Sequence, residues 1–325
     1  MRGQIIDVEV RGIRQLTPRI REYLLQSADG AALPPYAPGA HVELHTESPL
    51  SGPIVRHYSL VGGTGLKDDP ADRYRIAVQR EDRQRGSAHI HDTFEIGTAL
   101  RISRPKNNFL LDRRDRRVLL IAGGIGITPI FSMLRSLVRR RRDFEMVYAG
   151  REPDRLAYAE DFAALAGSAG RLHFSGQPAT DHLDLTALLA HQSDDTTVYV
   201  CGPGPMIEAT HAAAAALGWA PERVRSERFG AGPSADDRPF EVELRRSGRT
   251  VQIGRDTSIL DALNAQGLDL LSDCRRGECG LCPLPVLDGA IDHRDRYLSD
   301  AEHAAGDTLC ICVSRAAGDR LVLDA

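Results

Sequence analysis

Cys274, Cys279 and Cys282 follow one another as C-x4-C-x2-C, and Cys312 comes after 29 intervening residues. Four thiolates are the usual ligand set of a [2Fe–2S] cluster, and this spacing is the plant-type one. The loop between them holds Arg275, Arg276, Gly277, Glu278, Gly280 and Leu281. Small residues there suit a tight turn whose amide N–H groups point at the sulfurs. Zinc is the competing reading, but zinc modules use two short hooks. Here there is one hook with an extra cysteine in front and one distant partner. Cys310 and Cys312 both lie in reach as the fourth ligand. Cys312 is taken as the ligand and Cys310 as a small buried thiol beside it. Only Cys201 of the six cysteines lies outside this stretch, so the spacing predicts a separate C-terminal module.

The 325 residues suffice for two or three domains, and 42% hydrophobic content is enough to bury their cores. A net charge of −4 argues against a general nucleic-acid binder. The N-terminus, MRGQIIDVEV, has no apolar stretch of signal-peptide length, and no run reaches the ~20 apolar residues of a membrane span. A cytoplasmic location follows as the default, and in a reducing cytosol cysteines serve as metal ligands more often than as disulfides.

Three regions succeed one another. Residues 1–108 alternate apolar and polar positions in short runs such as IIDVEV, HVELHT, RHYSLV and YRIAVQ, separated by Pro/Gly clusters. That pattern predicts an antiparallel β-barrel or sandwich. Residues 109–229 alternate strands with helices: RVLLIAGG, then ITPIFSMLRSLVRR; FEMVYAG, then AYAEDFAALAG; TTVYVCG, then MIEATHAAAAALG. This order predicts a doubly wound parallel α/β domain. Residues 230–239 read as a Gly/Pro/Ser/Asp linker. In 240–325, a hairpin over 240–254 and a short helix near 258–267 precede the cysteines.

With these motifs in place, the chain resembles the phthalate dioxygenase reductase family. CRRGECGLC, DHRD (292–295) and CVSRA (312–316) match its ferredoxin end. RHYSL (56–60), AGGIGITP (122–129), CGPGPM (201–206) and ERFGA (227–231) match upstream, in the same order. The resemblance spans essentially the whole chain. It implies an FMN-binding barrel, an NAD domain and a β-grasp ferredoxin domain. It also implies NADH as reductant and a separate oxygenase component as the partner, most readily a Rieske-type oxygenase acting on an aromatic acid or ether.

Read on these residues, Arg56 holds the flavin phosphate, Tyr58 covers the ring and the Ser59 hydroxyl reaches its reactive N5. Ala77, Val78 and Gln79 present backbone groups to the pyrimidine edge. Arg85, Gly86 and Ser87 resemble the family's phosphate loop, although the family's usual pattern is Gly-Gly-Ser. Gly123, Gly124 and Gly126 open a helix after a buried strand and let the backbone approach a pyrophosphate. This is not the G-x-G-x-x-G fingerprint. Cys201 and Gly202 end a strand where ligands of open α/β sheets sit, and by resemblance Cys201 lies near nicotinamide C4. The resemblance also assigns cofactor contacts to His57, Thr128, Pro203, Met206 and the aromatic Phe229. Arg151 is placed to touch the adenosine ribose; the lack of a basic cluster there favours NADH over NADPH. FAD is the alternative flavin.

Three features take a plain reading. His89 and His91 are expected at the surface near a strand end, Arg139 to Arg142 on a solvated helix end, and 292–295 in a hydrogen-bonded turn. NADH delivers two electrons and a [2Fe–2S] cluster accepts one, a mismatch that a flavin resolves. The expected path runs from NADH to FMN to [2Fe–2S] to the oxygenase. A haem-thiolate monooxygenase as partner, and a ferredoxin-like carrier or sensor without turnover, are the alternatives.

Overall fold

The computed structural model describes residues 5–48, 52–62, 71–81, 86–176, 182–229, 237–255, 257–272, 275, 277, 280–295 and 297–325. They divide into two compact units, Met1–Arg228 and Phe229–Ala325.

The first unit opens with β1 (Ile5–Thr17), β2 (Ile20–Ser27), β3 (His41–Ser48), β4 (Gly52–Ser59), β5 (Arg73–Gln79), α1 (Gly86–Thr93) and β6 (Ala99–Ser103). The six strands form one antiparallel sheet in the order β4-β3-β6-β1-β2-β5. Period-two alternation turns Val8, Val10, Tyr23, Leu25, Val42, Leu44, Ile76 and Ile102 inward, all nearly or fully buried. The edge strands β4 and β5 come together at a Leu60–Ile76 bridge, with Val61 N–H donating to Arg75 O at 2.9 Å, which curls the sheet into a barrel. Helix α1 inserts Ala88, Ile90 and His91 against it. Phe94 meets Tyr23 edge-on, ring centroids 6.0 Å apart.

From the sequence, His89 and His91 are expected at the surface near a strand end. Residues 86–93 are instead helical, and His91 is 7% exposed. Ala88 and His91 fall on the face that covers β5, and the His91 Nε2 pairs with Val78 O at 2.9 Å.

The same unit continues with β7 (Arg117–Gly123), α2 (Ile127–Arg139), β8 (Asp143–Gly150), α3 (Ala159–Ala166), β9 (Gly170–Phe174), α4 (Leu185–Ala190), β10 (Thr196–Cys201), α5 (Gly204–Ala216) and β11 (Val224–Glu227). The strands are all parallel, in the order β11-β10-β7-β8-β9. β7 and β10 are buried along nearly their whole length, as strands covered on both faces must be. Successive strands run outward from β7 through β8 to β9, then the chain returns to place β10 on β7's other side. The β7/β10 boundary is therefore the topological switch point, where open α/β sheets bind ligands. Strand β9 and helix α4 add to the three strand–helix pairs expected from the sequence. The barrel and this sheet are joined by Gly39 N–H donating to Ser132 Oγ (3.0 Å) and Tyr158 Oη donating to Glu22 (2.9 Å).

The second unit contains β12 (Phe240–Leu244), β13 (Arg249–Ile253), α6 (Ile259–Ala265), β14 (Pro283–Asp288), β15 (Ile291–Asp292), α7 (Asp300–Ala305), β16 (Thr308–Cys310), β17 (Arg315–Ala316) and β18 (Arg320–Leu323). The main sheet runs β13-β12-β18-β14-β16. A β12–β13 hairpin, β18 parallel to β12 and α6 burying Ile259, Leu260 and Leu263 make the β-grasp arrangement. Of the segment read as a linker, 230–236 lie outside the described residues. Asp237, by contrast, is 6% exposed and held by Arg294 at 2.6 and 3.0 Å. A carboxylate so buried requires such a partner.

Candidate functional site

Among the expected cluster ligands, Cys274 and Cys279 lie outside the described residues. Cys282 enters β14 and Cys312 follows β16, whose Cys310 pairs with Pro283. Val313 and Ser314 N–H both donate to Cys310 O, a turn that swings the chain back past Cys312. The Cys282 and Cys312 sulfurs consequently sit 3.1 Å apart, in side chains 4% and 7% exposed. Hydrogen bonding with Cys310, then with Cys312, favours the Cys282 thiolate and pulls its pKa down. Cys310 shifts upward in turn, first through its hydrogen bond to Cys282 and then through burial. The three sulfurs lie together in the domain core, and buried thiols that can give up their protons suit iron. Gly277 (φ +72°) and Gly280 (φ +69°) line the loop; a Cβ on them would fall 2.7 Å from Asp295 Cβ and 2.2 Å from the Tyr297 ring. The close approach of the loop thus depends on glycine.

At the switch point the two glycine motifs abut. A Cβ on Gly126 would lie 2.2 Å from Cys201 O, and one on Gly123 would lie 2.7 Å from Pro203 Cδ and 2.8 Å from Met206 Sδ. Gly202 would bring its own Cβ to 3.0 Å from Gly123 Cα. Gly123, Gly126, Cys201, Gly202, Pro203 and Met206 are thus one constellation. Its bare backbone, with the N-termini of α2 and α5, fits a pyrophosphate. Gly124 (φ +53°) makes the turn, and Thr128 Oγ1 donates to Ile125 O at 3.1 Å within it. Cys201 is fully buried in register with Ala122 and Glu227. Arg151 is exposed just beyond β8. The neighbouring Arg155 is paired with Glu152 at 2.7 Å, which leaves the locality mixed in charge.

In the barrel, the antiparallel Leu60–Ile76 bridge sets Tyr58 and Ser59 across from Ala77 and Val78. Beyond that bridge no ladder joins β4 to β5 among the described residues. These facing, unladdered strand edges are where a planar ring would stack. Ser59 is 5% exposed and Tyr58 half-buried, burial raising the phenol's pKa. Val78 O, offered by the sequence reading to a ligand, is already engaged by His91. His57 stacks on His41 with centroids 5.2 Å apart. Glu43 lies in register with His57 and holds Lys106 Nζ at 3.0 Å. Arg56 is exposed, its guanidinium donating to Val55 O. Ser87 Oγ accepts from Glu81 N–H at 3.1 Å at the start of α1, which Gly86 opens; Arg85 lies outside the described residues. Phe229 is half-buried at the first position of the second unit. Two surface clefts, one lined by Asp7, His45 and Arg101 and the other by Glu145, Arg171 and His191, include none of the predicted site residues.

Three further residues contribute that no motif assigns to the site. Tyr148 Oη donates to Gly124 O (3.2 Å) and Ala157 O (3.1 Å), fixing the glycine turn from β8. Glu227 is a carboxylate 1% exposed beside Cys201. Lys106 ties into β3 through Glu43 at 3.0 Å and a backbone bridge to His41. Glu227 opens the ERFGA motif and closes β11, and those two features are what mark it in the sequence.

Comparison with known proteins agrees with this layout. An oxidoreductase NAD-binding domain model matches residues 120–212, and a 2Fe-2S iron-sulfur cluster binding domain model matches 242–317. Vanillate O-demethylase oxidoreductase of Pseudomonas sp. (strain HR199) is 39% identical over 98% of this chain and 100% of its own. The beta subunit of a heme-dependent oxidative N-demethylase of Ectopseudomonas mendocina is 39% identical over 98% of this chain and 99% of its own. A solved phthalate dioxygenase reductase, described as a modular structure for electron transfer from pyridine nucleotides to [2Fe-2S], superposes with a TM-score of 0.84, at 31% identity over 99% of this chain and 98% of that one. No helix among the described residues is long and apolar enough to cross a membrane. Similar along its whole length to these reductases, the chain is an oxidoreductase that belongs to the phthalate dioxygenase reductase family.

Proposed function

We propose that this protein is the cytoplasmic NADH-dependent reductase component of a Rieske-type oxygenase acting on an aromatic acid or ether. FMN, when bound, would supply the exchange between two-electron and one-electron chemistry, and a [2Fe–2S] cluster would supply single-electron transfer toward the separate oxygenase. The observation that carries this reading is that one chain joins a nucleotide crevice at a β7/β10 switch point to a buried Cys282–Cys312 sulfur pair.

The chain's own residues divide the work. Gly123, Gly124 and Gly126 would receive the pyrophosphate, with Thr128 holding the turn. Cys201, Gly202, Pro203 and Met206 would floor the nicotinamide position and exclude water from it. Arg151 would meet the adenosine ribose, and the acidic Glu152 beside it would disfavour the extra phosphate of NADPH. Tyr58 would cover the flavin ring, Ser59 would hydrogen-bond at N5, and Arg56 with Arg85, Gly86 and Ser87 would meet the flavin phosphate. His57, backed by His41 and Glu43, would shape the ring slot with Ala77 to Gln79, and Phe229 would contact the flavin. Cys274, Cys279, Cys282 and Cys312 would hold the cluster irons.

Anaerobic addition of NADH to the purified protein should bleach flavin and cluster absorbance together, and the reduced protein should then be reoxidised by a Rieske oxygenase. A protein that shows only flavin absorbance after cluster reconstitution would sink the relay. The heme-dependent relative gives weight to a second reading, a haem monooxygenase as partner. Comparing reoxidation rates by the two kinds of oxygenase separates them. Absence of NADH-driven dye reduction would leave a carrier or sensor instead.

A further inference from the structure

Three side chains of the second unit converge outside the sulfur group. His293 follows β15, Asp295 stands two residues on, and His303 lies on α7. One ligand atom from each lies within 4.8 Å of the others. The Asp295 side chain is completely buried, the His293 side chain 12% exposed and that of His303 27%.

Asp295 is held as an acceptor. Leu298 N–H donates to Oδ2 at 3.0 Å and Ser314 Oγ to Oδ1 at 3.0 Å. His303 Nε2 lies 3.2 Å from Oδ2. Burial alone would raise its pKa; those hydrogen bonds outweigh burial and keep it below the ordinary carboxylate range. The neighbouring Arg294 does not neutralise it, being engaged by Asp237 (2.6 Å) and Asp292 (2.8 Å).

His293 is the unexplained member. Both its ring nitrogens are buried, and neither has a hydrogen-bond partner among the described residues. Its Nδ1 stands 3.6 Å from Asp295 Oδ1, too long for a hydrogen bond. A buried polar group left in this way calls for an explanation, and an ion is one of the few. Two imidazoles and a carboxylate are a donor set for a borderline divalent ion, and zinc sites with three protein ligands keep a fourth position for solvent. The partly exposed His303 supplies that open side. Ser314 Oγ and Leu298 N–H already orient the carboxylate, as outer partners of metal ligands do.

We propose that His293, Asp295 and His303 bind one divalent transition-metal ion, typified by Zn2+, at a site separate from the sulfur site. The ion would tie the turn after β15 to α7, beside Gly277, where a Cβ would fall 2.7 Å from Asp295 Cβ.

The test uses the full-length protein with flavin and cluster in place. Zinc chloride is titrated by calorimetry against a competing chelator while visible absorbance is followed. One equivalent should bind with cluster absorbance unchanged. His303→Gln and His293→Gln should each weaken binding at least about tenfold, since even outer-shell losses cost that much. His211→Gln, which alters a histidine paired with Ser226, should leave it unchanged. Ser314→Ala removes no ligand and should give a smaller loss, which covers the case of a histidine variant that fails to fold. X-ray absorption at the zinc edge should show nitrogen and oxygen neighbours only. No binding, binding indifferent to both histidines, sulfur neighbours or bleaching of the cluster would each overturn the proposal.

Discussion

Gly124 and Gly126 share one turn, yet a methyl group would meet different obstacles at each. At Gly124 nothing lies within 4 Å, so Gly124→Ala carries only the left-handed backbone penalty of about 1–2 kcal/mol. At Gly126 the new Cβ would collide with the Cys201 carbonyl and the Gly202 nitrogen, all backbone that cannot swing aside. Gly126→Ala should therefore cost about 1–3 kcal/mol by overpacking and also part β7 from β10, raising the KM for NADH strongly, whereas Gly124→Ala should lower the melting temperature through its backbone strain and raise KM less. Thermal melts paired with NADH-driven dye reduction compare the two; equal KM effects would remove Gly126 from the crevice. Ser59 is tested in the barrel slot. Ser59→Ala should slow dye reduction about tenfold, the worth of one hydrogen bond near ~1.4 kcal/mol, with flavin content unchanged. A variant as fast as the parent would take Ser59 out of the chemistry.

Helix α1 shows how an element changes the chemistry of its residues. Packing on β5 buries His91, and this desolvation, the largest influence on it, lowers its pKa below 6.5 despite the bond to Val78 O. The folded state therefore binds a proton less readily than the unfolded chain. The stabilising contribution is whole above pH 6.5 and is lost as pH falls below that value toward the lowered folded pKa. Melting temperature should drop through this acid window, and His91→Gln should flatten that part of the profile. An unchanged slope in the variant would assign the acid loss to other groups. The Glu43–Lys106 pair acts similarly on the barrel strands: it is partly exposed, so its own worth is small, but it fixes β3 where His57 leans.

For the whole molecule, the division at Arg228/Phe229 sets the NAD-binding domain match and the 2Fe-2S domain match in different compact units. A chain ending at residue 228 should retain NADH-driven reduction of ferricyanide and lose reduction of cytochrome c. Retained cytochrome c reduction would show an exit route that bypasses the second unit. Within the full chain, Cys282→Ser should abolish cytochrome c reduction while flavin bleaching by NADH persists. Cys310→Ser should keep the cluster's visible spectrum, and its loss would make Cys310 a ligand.

Local patterns told most of the domain story because they depend on neighbours in the chain. The C-x4-C-x2-C run, the glycine turn after RVLLIAGG and the alternation of IIDVEV each follow from short-range chemistry, so cluster, nucleotide loop and barrel strands were legible directly. Helix α1 was not, since a helix of eight residues carries too little periodicity to outweigh the strand before it. Nor were Tyr148 behind Gly124, Glu227 beside Cys201, or the pairing of His293 with His303 across the turn and α7. Those juxtapositions join residues whose sequence separation says nothing of their distance. Burial then decides their chemistry, because desolvation and hydrogen bonding arise only once the chain has closed around them.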